Sequence, residues 1–181
     1  GLGLVGTAAE TEALALSVPD TGGVCFVPAF VGLGAPHWDS QCRGMLYGIT
    51  RGTTRAHIVR AARESIALQT FDVVHAMEQD MRATVARLCV DGGASANAFL
   101  MQFQADILGA EVRRPAVMET TALGAAYLAG LYAGVYGGIG ELRERRAGMT
   151  SFLPQMDDAA RAEKLLAWEE ALGRDMYRPR P

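Results

Sequence analysis

Apolar and polar positions recur along this chain at two rhythms, and the changes of rhythm divide it into short strands and longer helices. Residues 8–18 carry a short helical pattern, stopped by the turn residues Pro19, Asp20, Thr21, Gly22 and Gly23. Val24-Cys25-Phe26-Val27 is a compact apolar run that reads as a buried strand ending at Pro28. A second short strand is expected at 45–49. The longest helical pattern spans 54–81, with Thr54 placed to cap it. Val59, Ala62, Ile66, Val73 and Met77 recur there at spacings of three, four and seven, a stripe expected to face the core, while Arg60, Glu64, Asp72 and Glu78 point elsewhere.

Leu88-Cys89-Val90 reads as a strand running straight into Asp91-Gly92-Gly93. A helix follows, with Ala96, Phe99, Leu100, Phe103 and Ile107 inward and Gly109 as its stop. Residues 111–114 form a short strand ended by Pro115, and 122–133 a helix of small residues capped by Thr120 and closed by a run of glycines from Gly134. The last helix starts from Asp157 and buries Leu165, Trp168, Leu172 and Met176, with a frayed tail at 178–181. Strands and helices so interleaved predict an α/β layered domain rather than a bundle or a sandwich. The reading is one domain over 1–181, with 1–22 a remnant of an upstream region and 155–181 a terminal helix and tail.

Composition narrows the function classes. With 181 residues, half of them apolar and 20% charged, the chain fits one globular core. A net charge of −3 leaves no basic excess for phosphate neutralisation, which argues against a nucleic-acid-binding face. Cys25, Cys42 and Cys89 are odd in number and form no C-x-x-C pair, against a disulfide framework or a zinc site; a reducing cytoplasm is the expected home. No apolar run approaches the roughly 18 residues of a membrane span. Residues 1–6 have neither a basic flank nor an initiating Met and read as an internal cut through a longer chain.

The candidate chemistry centres on Gly92-Gly93-Ala94-Ser95-Ala96-Asn97. Without Cβ atoms, Gly92 and Gly93 let a flat ligand or a phosphate approach the backbone. The helix behind them is expected to present free N–H groups and its positive end to an anion. Asn97, the only Asn in the chain, falls in the first turn, where its amide can meet a base or a ribose. The alternative is purely structural, since any strand-to-helix turn favours Gly and Asn is ordinary at a helix start; both readings stand at this point. Asp39 is expected to order its own loop and Asp72 to be solvated. His37, His57 and His75 lack ligand spacing and are assigned to packing, capping or surface. Arg113 and Arg114, adjacent on a strand, face opposite ways, which argues against a phosphate clamp.

Longer blocks carry more. Val27-Pro28-Ala29-Phe30, Gly32-Leu33-Gly34-Ala35-Pro36-His37-Trp38-Asp39, Arg43-Gly44, Tyr47-Gly48-Ile49-Thr50-Arg51-Gly52, the Gly92-Gly93 turn, Phe99-Leu100-Met101-Gln102-Phe103-Gln104-Ala105-Asp106-Ile107-Leu108-Gly109 and Thr121-Ala122-Leu123-Gly124-Ala125-Ala126-Tyr127-Leu128-Ala129-Gly130 follow one another in order. This succession, over most of 23–132, resembles the glycerol kinases of the FGGY carbohydrate-kinase family. Arg63 departs from that family's pattern, where an aliphatic or aromatic residue is the rule, and marks an altered packing partner or an exposed face.

The resemblance implies an actin-like ATPase (ribonuclease H-like) fold, of which this chain is the C-terminal domain truncated on its N-terminal side. It implies transfer of the ATP γ-phosphoryl group to glycerol with Mg2+, the metal held mainly by upstream parts. Gly93 and Asn97 match the family's adenine-nucleotide contacts, with Gly92 in the same turn. The helix at 122–133 resembles the one near the interdomain hinge; a tightly packed core helix is the other reading. The catalytic Asp, the glycerol contacts and a Gly-Thr-Gly phosphate loop lie upstream in that family. No catalytic residue or metal ligand is therefore assigned in this chain, and by itself it is expected to be inactive, to bind ATP weakly and to associate as a homo-oligomer. Two alternatives remain. One is an FGGY kinase for another polyol or ketose, such as a xylulokinase, which carries a Gly-Glu-Arg type sequence where this chain has Gly32-Leu33-Gly34-Ala35-Pro36. The other is a non-catalytic nucleotide-binding or assembly module.

Overall fold

Strands in the computed structural model, which describes residues 2–144 and 148–176, fall into two small sheets. The helix α1 (Glu10–Leu16) leads to β1 (Cys25–Val27) and β2 (Met45–Tyr47), which pair antiparallel with Phe26 opposite Leu46. After the long α2 (Arg55–Met81) come β3 (Arg87–Cys89), α3 (Ala98–Leu108) and β4 (Glu111–Pro115). Two further helices, α4 (Thr120–Tyr132) and α5 (Ile139–Glu144), precede β5 (Met149–Phe152) and the terminal α6 (Asp158–Met176). Strand β4 is central, parallel to β3 with Leu88 opposite Val112, and antiparallel to β5 with Val112 opposite Phe152. The parallel pair requires a crossover, and α3 supplies it. The α/β architecture read from the sequence is the one observed. The expected tail at 178–181 lies outside the described residues.

The core forms where α3 lies between α2, α6 and the sheet. Leu100, Met101, Phe103, Ala105 and Ile107 of α3 meet Ala67 and Leu68 of α2, Val112 of β4, and Trp168 and Leu172 of α6. Two polar side chains of α3 are buried in this packing, and both are satisfied: Gln104 donates to the Ala67 carbonyl at 3.2 Å, and Asp106 Oδ1 accepts from the Gln155 amide at 2.7 Å. At the β3–β4 seam Glu111 accepts from Arg113 and Arg87, each at 2.8 Å, and those two bonds, Arg113 first, hold its carboxyl down at about 2.

On α2 the buried face is not the expected one. Val59, Ala61, Glu64, Ser65, Ala67, Leu68 and Val74 are buried, whereas Ile66, Val73 and Met77 of the expected stripe are exposed, on nearly the opposite side of the helix. Ion pairing makes the buried face tolerable for Glu64: Arg60 donates to it at 2.8 Å and Lys164 of α6 to its other oxygen at 3.1 Å, which lets a carboxylate sit inside. Asp72 is not the solvated side chain expected from sequence. Its Oδ2 accepts from the buried Trp168 Nε1 at 2.9 Å and lies 3.1 Å from His37 Nε2, so it ties the 32–39 loop to α2 and α6. Asp39 does order its loop, accepting from the Gln41 amide at 2.8 Å. His57 accepts from the Thr54 amide at 3.0 Å as part of the α2 cap.

Arg63, the residue that breaks the family pattern, bonds the Thr11 hydroxyl, and its guanidinium also reaches the Ala8 carbonyl at 3.2 Å. Arg60 reaches the Ala15 and Val18 carbonyls at 3.1 and 2.6 Å. Two arginines of α2 thus hold α1 in place. At the other end, Asp157 caps α6 as expected, accepting from the Ala160 amide at 2.8 Å, and Trp168 and Leu172 are buried; Met176, expected inside, is 39% exposed because it lies in the last turn.

Candidate nucleotide site

Ligands of open α/β sheets bind outside the carboxyl ends of parallel strands, and β3 ends at Cys89, from which Val90 leads into Asp91-Gly92-Gly93 at such an edge. Gly92 has φ +77° and ψ 173°, a conformation open essentially to Gly alone. Gly93 then opens a 3-10 turn, Gly93–Ala96, and Asn97 separates that turn from α3. The turn is tightly knit. The Ser95 hydroxyl and amide both donate to the Gly92 carbonyl, at 2.7 and 3.1 Å, and the Gly92 amide donates to the Met118 carbonyl at 3.0 Å. The Thr120 hydroxyl bonds Asp91 Oδ2, joining the end of β3 to the start of α4.

The three residues singled out from sequence therefore share one turn, in unequal settings. Gly93 is exposed, Gly92 partly so, and no atom lies within 4 Å of where a Cβ would stand on either. The bend is an open surface. Asn97 is only 9% exposed and is the N-cap of α3 rather than a first-turn residue: its Oδ1 accepts from the Leu100 amide at 2.8 Å. The expectation of free N–H groups at the start of α3 is also corrected, because Glu12 of α1 accepts from the Ala98 amide at 3.2 Å. Two of the first three amides of the helix are thus already bonded, one of them to a carboxylate. An anion at that end would have to displace Glu12, so the turn suits an uncharged, flat group better than a phosphate.

Arg113 pairs with Glu111, while Arg114 turns the other way and donates from one guanidinium nitrogen to the carbonyls of Ser95 and Ala96, at 2.8 and 3.0 Å. The opposed directions were legible in the sequence. The supporting roles of Arg114 and Glu12 were not, since each depends on which elements pack together; the Ser95 bonds to Gly92 are local to the turn.

A cavity of about 690 Å³ lies at the same edge, walled by Cys89, Val90 and Asp91, by Val117 of the loop after β4, and by Tyr127 of α4 and Leu142 of α5. Its lining stops at Asp91, one residue short of the glycine pair. Among the described residues no group of three or more His, Cys, Asp or Glu side chains is arranged to hold a metal ion. No described helix is long and apolar enough to cross a membrane.

The chain is similar to known proteins over most of its length. Residues 3–133 match the model of the FGGY family of carbohydrate kinases, C-terminal domain. Glycerol kinase 2 of Thermotoga maritima is 57% identical over 176 residues, covering 97% of this chain and 36% of that protein. Among solved structures, Plasmodium falciparum glycerol kinase with ADP superposes with a TM-score of 0.86 at 36% identity, over 97% of this chain and 35% of that one. A ligand-bound xylulose kinase from Lactobacillus acidophilus, at 22% identity and a TM-score of 0.75 over 96% of this chain and 36% of that one, shares the fold. The chain spans about a third of the length of the curated relatives it matches.

Proposed function

The chain belongs to the FGGY family of carbohydrate kinases, as the C-terminal domain of that family, and from this premise we propose that it is the nucleotide-binding part of an ATP-dependent glycerol kinase. The observation that carries the proposal is the open Gly92-Gly93 bend at the carboxyl end of β3. Glycerol rather than a ketose is the acceptor favoured by similarity: the curated relatives at 52–57% identity are glycerol kinases, and among the solved structures the glycerol kinase is 36% identical where the Lactobacillus acidophilus xylulose kinase is 22% identical. In this reading the nucleoside of ATP or ADP rests on Gly92 and Gly93 beside Asn97. The Asp91 edge and the adjoining cavity lie next to it.

Phosphoryl transfer depends on holding donor and acceptor in line while charge is neutralised. This chain's contribution is the first of those tasks: a rigid, uncharged wall that fixes the nucleoside. Glu12 keeps the start of α3 from competing for the phosphates. The acceptor, its general base and the metal are assigned to the remaining length that the relatives possess, with a cytoplasmic setting and a homo-oligomeric state as part of the same reading.

Calorimetric titration with ADP tests it. A Cβ at Gly93 meets no atom within 4 Å, so Gly93→Leu should melt close to the parent while covering the wall. ADP affinity should fall by roughly tenfold or more, about 1.4 kcal/mol or above. Unaltered affinity in a folded Gly93→Leu variant would remove the bend from the site.

A further inference from the structure

The sequence pattern from Gly93 to Leu108 suits one continuous helix, yet the structure breaks it at Asn97, whose φ of −76° and ψ of 110° are extended. A continuous helix would pair each amide with the carbonyl four residues back. Ala98 would then donate to Ala94, Phe99 to Ser95 and Leu100 to Ala96. Five of these six groups have another partner, a side chain or the turn itself. The Ala94 carbonyl accepts from the Asn97 amide at 3.3 Å, and the Ala98 amide donates to Glu12. The Ser95 and Ala96 carbonyls accept from Arg114, and the Leu100 amide donates to Asn97 Oδ1. The Arg114 guanidinium also stacks over Phe152 of β5, 5.3 Å from the ring centre, which fixes its direction.

We propose that Arg114 and Glu12 are positioning residues that hold the helix broken at Asn97, a cation on the carbonyl side and an anion on the amide side, and so keep the Gly92–Gly93 wall open for the nucleoside. The inference rests on the nucleotide reading above for its ligand, and on hydrogen bonding alone for the break. With the clamp removed, residues 93–108 gain the bonds of an uninterrupted helix. Asn97 then passes from the cap position into the first turn, and the surface presented to the ligand is rebuilt. Hydrogen bonds made by a guanidinium or a carboxylate are the stronger kind. Neither side chain touches the ligand in this scheme.

Two measurements on the chain separate the parts. The first is amide hydrogen exchange at Asn97, Ala98 and Leu100, with Ile107 on the same helix as the reporter of global stability. Arg114→Met keeps the aliphatic stem but removes the donors, and exchange at Asn97, Ala98 and Leu100 should change by roughly tenfold relative to Ile107. Arg114→Lys should restore part of the parent pattern, because an ammonium still reaches one carbonyl. Glu12→Gln should act chiefly at Ala98, and it serves in place of Arg114→Met if that variant fails to fold. The second measurement is ADP titration of the same variants, in which Arg114→Met should lose roughly tenfold in affinity and Arg114→Lys should recover part of it. Exchange that is unchanged at all three amides overturns the clamp. Altered exchange with undiminished ADP affinity, in a parent chain that binds ADP and loses it on Gly93→Leu, overturns the link to the ligand and leaves the nucleotide reading standing. A parent chain that binds no ADP overturns that reading and the positioning role with it.

Discussion

Burial pushes the Cys42 thiol up to about 12, with hydrogen bonding to the Asp39 carboxylate adding to it, and burial followed by the nearby Glu64 charge raises Cys25 to about 11. Cys89 is exposed at the end of β3. Since the thiolate is the nucleophile, a disulfide-exchange reagent at pH 8 should titrate one thiol per native chain and three after denaturation. Protection of Cys89→Ser from the fast reaction would confirm the assignment, and two fast thiols in the native parent would contradict it. At the same scale, the turn that Gly92, Gly93 and Asn97 share was legible because strand-glycine-helix succession is a local pattern. The cap position of Asn97 was not legible. Its own bond, from the Leu100 amide, is local, but the Ala98 amide beside it meets Glu12, 86 residues away, and the Ala96 carbonyl meets Arg114, 18 residues away.

Whole elements were legible where their boundary chemistry was strong. Thr54 and His57 start α2, Asp157 starts α6, and Gly109, with φ +64°, ends α3. What failed was the choice of face on α2. Apolar side chains occur on two opposite sides of that helix, and the buried side is the one whose Glu64 finds cations on α2 and α6, a matter of tertiary pairing that periodicity does not report. The short α5 and β5 were likewise missed: β5 is defined by its pairing with β4 rather than by alternation, and three of the residues between the two lie outside the described set. Joins between elements carry the next prediction. Asp72→Ala leaves the indole N–H of the buried Trp168 unpaired and frees His37. The cost should be about 1–3 kcal/mol, seen as a fall in melting temperature of roughly 2–4 °C per kcal/mol. A melt superimposable on the parent would show that the loop at 32–39 is not held through this carboxylate.

For the molecule as a whole, surface rather than core is the unusual feature. The helix α4 carries no charged residue and none of its side chains is buried; Leu128 is 71% exposed and Tyr132 97%. A helix apolar on all sides ordinarily lies inside a larger structure, and exposed apolar surface of this kind promotes association. The sequence showed the small-residue composition of α4 but left open whether it was core or hinge; as a core helix of this chain alone it is excluded. Light scattering coupled to size exclusion should give a mass above that of the monomer at micromolar concentration, and Leu128→Arg combined with Tyr132→Arg should return it toward the monomer. A monomeric mass for the parent across a hundredfold dilution series would refute this.

The two arginines that grip α1 set where the cooperative unit starts. Beginning the polypeptide at the Gly22-Gly23 turn would strip Arg63 of its contacts with Ala8 and Thr11 and Arg60 of its contacts with Ala15 and Val18. The same shortening would delete the carboxylate that meets Ala98. Those first residues, which look dispensable on paper, are the back of the surface on which the nucleoside is proposed to lie, and a minimal binding module drawn without them would be missing its own support.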